Sequence, residues 1–109
     1  MYDILIIGSG PAGYVAAIRA SQLGLRAACI EKDSVGGTCL NVGCIPSKSL
    51  LDSSLKYHQL TKNFTEHGID VKSTSIDLEK MMSRKQGVVD QLTKGVTGLL
   101  KANNVELIN

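Results

Sequence analysis

The stretch from residue 2 to residue 31 constrains the fold of this chain more than any other part of it. The apolar, β-branched run at residues 2–7 (YDILII) is typical of a buried parallel strand. A glycine-rich turn follows, and residues 11–24 are good helix formers whose first residue, Pro11, fits the first turn of a helix. Residues 27–31 (AACIE) predict a second strand. Together they predict a right-handed strand–helix–strand crossover, and therefore an α/β fold.

The turn between this strand and this helix contains the pattern G-x-G-x-x-G. Gly8 would make the tight turn, Gly10 would let a pyrophosphate approach the backbone, and Gly13 would let the helix pack on the strand. The helix N-terminus would then face the phosphates. Glu31 follows Gly13 at the spacing of a carboxylate that accepts hydrogen bonds from an adenosine ribose. The pattern predicts an ADP-containing dinucleotide, NAD or FAD rather than NADP. The alternative for the glycine pattern is a tight turn that binds no ligand, and the alternative for Glu31 is an ordinary charge at the end of a strand.

The rest of the chain predicts two more helices and one more strand. Residues 39–60 are largely helical in character with a proline inside, and residues 78–102 are amphipathic, with Asp77 as N-cap. Residues 105–108 (VELI) predict a third strand. The longer helix contains three glycines: Gly87, Gly95 and Gly98. Each weakens an isolated helix by about 1 kcal/mol, and we expect them to permit close packing.

Two cysteines five residues apart, in GGTCLNVGCIPSK, pose the main chemical question. In an ideal helix, the Cα atoms of Cys39 and Cys44 would be about 8.6 Å apart, whereas a disulfide tolerates at most ~7 Å. A disulfide therefore requires a distorted turn, which Gly43 and Pro46 favour. Such a disulfide would be reducible rather than inert, and a helix N-terminus nearby would favour thiolates.

A metal site is the main alternative for these cysteines, and the sequence does not favour it. Zinc requires about four ligands. The remaining candidates, Cys29, His58 and His67, lack the spacing of metal ligands. Cys29 lies in a predicted strand and is most simply a small buried hydrophobe.

Composition narrows the range of partners and locations. The net charge of +2 is too small to indicate binding to nucleic acid or to a membrane surface. No apolar run approaches the ~20 residues that span a bilayer, and the first residues carry no basic leader, so we expect a cytoplasmic or organelle-matrix protein. Thiols are kept reduced there, so a cysteine pair is more often catalytic or metal-binding than structural. Aromatic residues are only 4% of the chain, which is few for an independent core.

The motifs GSGPAG at residues 8–13 and GGTCLNVGCIPSK at residues 36–48 resemble those of the flavin-dependent pyridine nucleotide–disulfide oxidoreductases. Within that family, YVAAIRASQLG and KSLLDSSLKYH are most similar to the dihydrolipoamide dehydrogenase branch. Glutathione reductase and mercuric reductase share the cysteine motif, with slightly different residues around the two cysteines. The resemblance covers the whole chain, and the cysteine motif is its most specific part.

The resemblance implies the N-terminal part of a Rossmann-like FAD-binding domain. Its parallel strands would be residues 2–7, 27–31 and 105–108, with helices at about 11–24, 39–60 and 78–102. The residues that match FAD-lining positions are Gly8, Ser9, Gly10, Pro11, Ala12, Gly13, Glu31, Lys32, Gly37, Thr38 and Lys48. Lys48 would lie near the flavin ring. Cys39 and Cys44 match the redox disulfide of the family. Cys39 would be the thiol that reacts with dihydrolipoamide, and Cys44 would lie against the flavin as a thiolate. NAD⁺ would accept the electrons.

The resemblance also implies partners and missing parts. Residues 1–109 would lack the NAD-binding and dimerisation domains, and neither histidine matches the catalytic base that the partner subunit supplies in this family. The implied partners are dihydrolipoamide on a lipoyl domain of a 2-oxo acid dehydrogenase complex and a second copy of the enzyme, with no nucleic acid and no membrane. The location would be cytoplasmic, or the mitochondrial matrix in a eukaryote. The chain alone is expected to be inactive; the alternatives are a related reductase, a non-catalytic flavin-binding module, or a thiol switch without flavin.

Overall fold

A computed structural model describes all 109 residues as a three-stranded parallel sheet with four α-helices. The elements in chain order are β1 (Ile4–Ile7), α1 (Pro11–Gln22), β2 (Ala27–Ile30), α2 (Gly37–Asn41), α3 (Cys44–Lys62), α4 (Leu78–Ala102) and β3 (Glu106–Ile108). A single 3₁₀ turn lies at Thr65–His67. The strand order is β1-β2-β3, and Ile6, Cys29 and Leu107 stand side by side across the sheet. The predicted α/β class and its three parallel strands are confirmed.

The core lies between α1, the sheet and the C-terminal half of α4. Its buried members are Ala17, Ala20, Ala27, Cys29, Leu40, Val96, Leu100 and Val105. Most of these side chains are small, which agrees with the low aromatic content. α3 and α4 pack on each other and extend away from the sheet, so the molecule measures 65 × 25 × 18 Å. Arg84 joins the two helices, because its Nη1 donates to Ser49 Oγ over 2.9 Å and its Nη2 donates to Asp52 Oδ2 over 3.3 Å.

The prediction that β1 is buried was wrong. β1 is an edge strand whose only strand partner is β2, and Leu5 is 55% exposed while Ile7 is 87% exposed. The apolar run identified the strand correctly, but within these 109 residues no fourth strand covers the outer edge of β1. None of the helices combines the length and the apolar character that crossing a membrane requires.

The single helix predicted over residues 39–60 is in fact two helices. α2 ends at Asn41, and α3 begins at Cys44 after a break at Val42 and Gly43. Pro46 is the third residue of α3, where a backbone N–H would have no acceptor within the helix, so the proline does not interrupt it. By contrast, α4 begins as predicted, since Asp77 Oδ1 accepts a hydrogen bond from the Lys80 N–H over 3.0 Å.

The three glycines of α4 do not permit close packing, contrary to the expectation from sequence. A Cβ atom added at Gly87, Gly95 or Gly98 would meet nothing within 4 Å. These glycines therefore retain only their entropic cost to the helix.

Replacing Gly98 by alanine is expected to stabilise the chain by about 1 kcal/mol, because the new methyl group has open space and alanine is the better helix former. The midpoint and slope of urea unfolding measure this change. Gly24→Ala is the matched control, since Gly24 has a φ of +86° that alanine adopts only with strain, and it should destabilise. Destabilisation by Gly98→Ala would mean that this face of α4 is covered.

Candidate functional site

The glycine loop, residues 8–13, connects β1 to α1. Gly8 has a φ of +96°, and its N–H donates to the Ile30 carbonyl over 2.7 Å, which ties the start of the loop to the end of β2. A Cβ atom on Gly13 would lie 1.8 Å from the Gly8 carbonyl oxygen. Only glycine at position 13 therefore allows α1 to start this close to β1. The positive φ of Gly8 agrees with its predicted role in the tight turn, and the close approach at Gly13 agrees with its predicted role in packing the helix on the strand.

Three backbone donors of the glycine loop have no acceptor in the protein. The N–H groups of Gly10, Ala12 and Gly13 make no backbone or side-chain hydrogen bond, while the Tyr14 N–H already donates to the Gly10 carbonyl. Gly10 is the N-cap of α1, with Pro11 directly after it. Free donors at the positive end of a 12-residue helix are the arrangement that binds phosphate groups.

Glu31 is buried at the end of β2 and holds the glycine loop from the side. It is 7% exposed. Its Oε2 accepts hydrogen bonds from the Ser9 N–H over 2.9 Å and from the Ser9 hydroxyl over 2.6 Å, and its Oε1 accepts one from the Asp33 N–H over 2.9 Å. The Ser9 hydroxyl, then the backbone N–H groups of Ser9 and Asp33, lower the pKa of Glu31 below its usual range. The carboxylate is thus fixed in its ionised form.

The glycine pair that opens the cysteine motif lies directly against the glycine loop. Gly36 and Gly37 both have left-handed backbones, with φ of +93° and +59°. The Gly36 N–H donates to the Ser9 carbonyl over 3.0 Å, and a Cβ atom on Gly37 would lie 2.9 Å from the Gly10 Cα atom. The two motifs, far apart in sequence, therefore meet backbone to backbone.

A polar cavity of about 250 Å³ lies beside this contact. Its lining residues are Glu31, Lys32, Asp33, Ser34, Gly37, Thr38, Asn41 and Val42. Four of them, Glu31, Lys32, Gly37 and Thr38, were predicted site residues. Sequence reasoning missed Asn41, whose Nδ2 donates to the Val35 carbonyl over 3.0 Å and to the Gly37 carbonyl over 2.9 Å. The available signal was an amide residue four positions after the second glycine of the Gly-Gly turn, which is one helical turn.

Cys39 and Cys44 form a disulfide across the break between α2 and α3. Their Cα atoms are 4.7 Å apart, far less than an unbroken helix allows, so the predicted distortion of the turn is present. Gly43 allows it, because a Cβ atom there would lie 2.9 Å from the Thr38 carbonyl oxygen. Cys39 is half-buried against the core, whereas Cys44 is exposed at the first position of α3.

Lys48 lies one turn after Cys44 on α3, and these two exposed residues share a helix face. Lys48 does not line the polar cavity. The structure therefore brings the glycine loop, Glu31 and the disulfide motif together, while Lys48 projects from the helix that follows.

Cys29 has a separate environment. It is fully buried in β2, and its thiol donates to the Gly8 carbonyl over 3.6 Å. Burial, and then the charge of Glu31, raise the pKa of Cys29, so it stays a neutral thiol. His58 and His67 are exposed, and nowhere in the chain do three His, Cys, Asp or Glu side chains gather as a metal-ligand group.

Comparison with known proteins identifies the family. The sequence profile described as "Pyridine nucleotide-disulphide oxidoreductase" matches residues 2–109. The chain belongs to the pyridine nucleotide-disulphide oxidoreductase family. It is 56% identical over 107 residues, 97% of its length, to dihydrolipoyl dehydrogenase 1, mitochondrial, of Arabidopsis thaliana and to leghemoglobin reductase of Vigna unguiculata. It is 52% identical over 109 residues, 98% of its length, to dihydrolipoyl dehydrogenase, mitochondrial, of Sus scrofa.

The chain spans about a fifth of the length of these curated relatives, 20% or 21% of each. The resemblance inferred from the two motifs is therefore confirmed at the level of the pyridine nucleotide-disulphide oxidoreductase family and of its dihydrolipoyl dehydrogenase members. The family implies flavin and nicotinamide chemistry. The individual roles of the site residues remain predictions.

Proposed function

We propose that the protein containing this chain oxidises dihydrolipoamide to lipoamide, with FAD as cofactor and NAD⁺ as final acceptor. One observation carries this proposal: the turn leading into the Cys39–Cys44 disulfide touches the glycine loop, with Gly37 against Gly10. A dinucleotide whose phosphates lie on that loop would extend past the disulfide. The identity to relatives named dihydrolipoyl dehydrogenase supports the choice of substrate.

The residues present fit the ADP half of FAD. The unpaired N–H groups of Gly10, Ala12 and Gly13 would hold the pyrophosphate, and the polar cavity that contains Glu31, Lys32, Gly37 and Thr38 would hold the adenosine. Three of the roughly four acceptor sites of the Glu31 carboxylate are already used, which leaves one for a ribose hydroxyl. Ser9 and Pro11 shape the loop, and Lys48 remains the proposed neighbour of the flavin ring.

The disulfide supplies the thiol chemistry of this proposal. A thiolate of dihydrolipoamide attacks Cys39 Sγ, the Cys39–Cys44 bond breaks, and Cys44 leaves as a thiolate. The second substrate thiol then attacks the mixed disulfide, which releases lipoamide and leaves Cys39 reduced. Two electrons and two protons have moved from the substrate to this chain and its surroundings. The chemistry that FAD supplies when bound is two-electron oxidation of the dithiol and hydride donation to NAD⁺.

The break between α2 and α3 suits this thiol–disulfide exchange. Each cysteine is held by a different helix, Cys39 in α2 and Cys44 in α3. Cys39 keeps its packing against the core when the bond opens, and Cys44 stays at the helix N-terminus, where a thiolate is favoured. The two thiols therefore stay close together after reduction, and the disulfide can form again without a large conformational change.

The remaining assignments follow from the same proposal. Residues 1–109 would form the first part of the FAD-binding domain, and separate domains would bind NAD and form a homodimer. The substrate would be carried by a lipoyl domain of a 2-oxo acid dehydrogenase complex. The names of the relatives place them in mitochondria, so we propose the mitochondrial matrix if the source is a eukaryote and the cytoplasm otherwise.

A second candidate activity follows from the relatives named leghemoglobin reductase, of which one is as similar to this chain as a dihydrolipoyl dehydrogenase is. In that case electrons would leave toward a haem protein. Nothing in the 109 residues separates the two acceptors, because the chain is 56% identical over 107 residues to a relative of each name. Side-by-side turnover with lipoamide and with a ferric haem protein separates them.

In the protein containing this chain, Cys39→Ser and Cys44→Ser are each expected to lower NADH–lipoamide turnover by at least about a thousandfold, because each removes one sulfur of the exchanging pair. Cys29→Ala is the matched control and should keep most activity, since Cys29 is a buried free thiol in β2 that takes no part in the disulfide. Reduction should add a long-wavelength absorbance band in Cys39→Ser but not in Cys44→Ser. Full turnover in either serine variant would refute the proposal. Turnover by the purified 109-residue chain alone would contradict the separate expectation that these residues are inactive without the rest of the protein.

A further inference from the structure

The contact between Ser9 and Glu31 is the least expected feature of the site. Sequence reasoning assigned Glu31 to a ribose and gave Ser9 no separate role. In the structure, Ser9 is 0% exposed and directs both its N–H and its hydroxyl at Glu31 Oε2. One residue of the phosphate-binding turn thus contributes two of the three donors that hold the ribose-binding carboxylate.

The geometry points to Ser9 as a positioning residue: its hydroxyl fixes the Glu31 carboxylate, ionised and with a single acceptor site free, for the adenosine ribose of the cofactor. This inference rests on the proposed function, because it concerns how that site grips FAD. Ser9 itself touches no phosphate through its N–H, since that group already donates to Glu31. Its effect on the cofactor passes through the carboxylate.

The orientation of Glu31 has no other side-chain support. The third donor is the backbone N–H of Asp33, which donates to Oε1 from the turn after β2. Without the Ser9 hydroxyl, Oε2 would keep one backbone donor, and the buried carboxylate would be less well satisfied. Without that hydroxyl the Glu31 carboxylate could rotate more freely. It would have to be ordered again when the ribose binds, and this entropic cost would weaken the binding of FAD.

The electrostatic consequence can be measured. The Ser9 hydroxyl is the largest cause of the lowered pKa of Glu31. The charged or titratable groups near Glu31 are Cys29 on β2 and Lys32 and Asp33 in the following turn. The glycine loop adds the uncharged hydroxyl and N–H of Ser9, and β3 adds only a backbone carbonyl. Because the folded-state pKa is lowered, the ionised carboxylate stabilises the fold above its ordinary pKa, and this contribution is lost as the pH falls through the lowered value.

The test compares Ser9→Ala with the unmodified protein that contains this chain, with Ser83→Ala as control because Ser83 is exposed on α4. The dissociation constant of FAD is measured between pH 4 and pH 8. Ser9→Ala is expected to weaken FAD binding about tenfold at neutral pH, the scale of one hydrogen bond to a charged group, and to move the acid limit of binding to higher pH. Ser83→Ala should change neither. A pH profile of Ser9→Ala that superimposes on the unmodified one overturns the inference.

Two further measurements keep the test decisive. In a Glu31→Ala background, Ser9→Ala should change FAD affinity less than about twofold, because Ser9 acts through Glu31; an undiminished effect there overturns the inference. Without FAD, the stability difference between the unmodified protein and Ser9→Ala should shrink as the pH falls into the carboxyl range, and a constant difference also overturns it. Failure of the unmodified protein to bind FAD would instead refute the proposed function, while the FAD-free profile would still decide the role of Ser9.

Discussion

Gly13→Ala is expected to destabilise the chain by about 3 kcal/mol or more and to abolish dinucleotide binding. The alanine Cβ would lie 1.8 Å from the Gly8 carbonyl oxygen, and both partners belong to the backbone, so no side chain can move aside. Gly8 is itself anchored by its hydrogen bond to the Ile30 carbonyl. Alanine gains about 1 kcal/mol in helix propensity, but overpacking typically costs ~1–3 kcal/mol or more even where flexible side chains can yield. The cost of the steric clash should therefore exceed the gain in helix propensity.

Gly10→Ala is the matched control for Gly13→Ala. A Cβ atom on Gly10 meets nothing within 4 Å, and its φ of −66° suits alanine. Stability should change by at most about 1 kcal/mol, the range of an N-cap substitution. FAD binding should nevertheless fall at least about tenfold, since the methyl group would occupy the space where the pyrophosphate approaches. Urea unfolding and quenching of FAD fluorescence measure the two effects. Equal stability of Gly13→Ala and the unmodified chain would contradict the packing role, and unchanged FAD binding by Gly10→Ala would contradict the phosphate role.

The order in which the two thiols react is expected to reverse when flavin binds. Cys44 is exposed at the first position of the 19-residue helix α3, whereas Cys39 is half-buried against the core. In the reduced, flavin-free protein, a limiting amount of iodoacetamide should therefore label Cys44 over Cys39 by roughly tenfold. In the flavin-bound protein, Cys44 would lie against the ring, and Cys39 should carry most of the label.

Peptide mapping by mass spectrometry measures this ratio, and each single serine variant identifies the peptide of the remaining thiol. Cys29 serves as an internal control, because burial and the nearby charge of Glu31 raise its pKa and should leave it unlabelled in both states. The same labelling order with and without flavin would mean that the ring does not cover Cys44. The exchange role proposed for Cys39 would then lose its physical basis.

Local patterns were sufficient for part of the fold and the site. The β-branched run, the glycine turn and the helix formers identified β1, α1 and β2, because strand, turn and helix preferences depend on residues close in sequence. The N-cap at Asp77 and the apolar spacing identified α4 in the same way. The distortion needed to bridge Cys39 and Cys44 also followed from helix geometry alone, since a regular helix would hold their Cα atoms farther apart than a disulfide allows.

Other features required the path of the whole chain. The exposure of β1 depends on which strands stand beside it, and the open space around Gly98 depends on what packs against α4. The break after Asn41 is stabilised partly by the Asn41 side chain bonding back to the Val35 and Gly37 carbonyls. No periodicity in the sequence encodes such contacts, because each depends on where two segments meet.

The sequence by itself determined that a glycine-rich turn between a strand and a helix, and a cysteine pair in a distorted turn, are both present, since each is encoded in fewer than fifteen consecutive residues. Only the tertiary structure decided that these two motifs lie side by side. The left-handed turn at Gly36 and Gly37 brings the cysteine motif against Gly10, and the parallel pairing of β1 with β2 brings Glu31 beside Ser9. The physical reason is that carboxyl ends of parallel strands share one edge of the sheet, so residues distant in sequence become neighbours there.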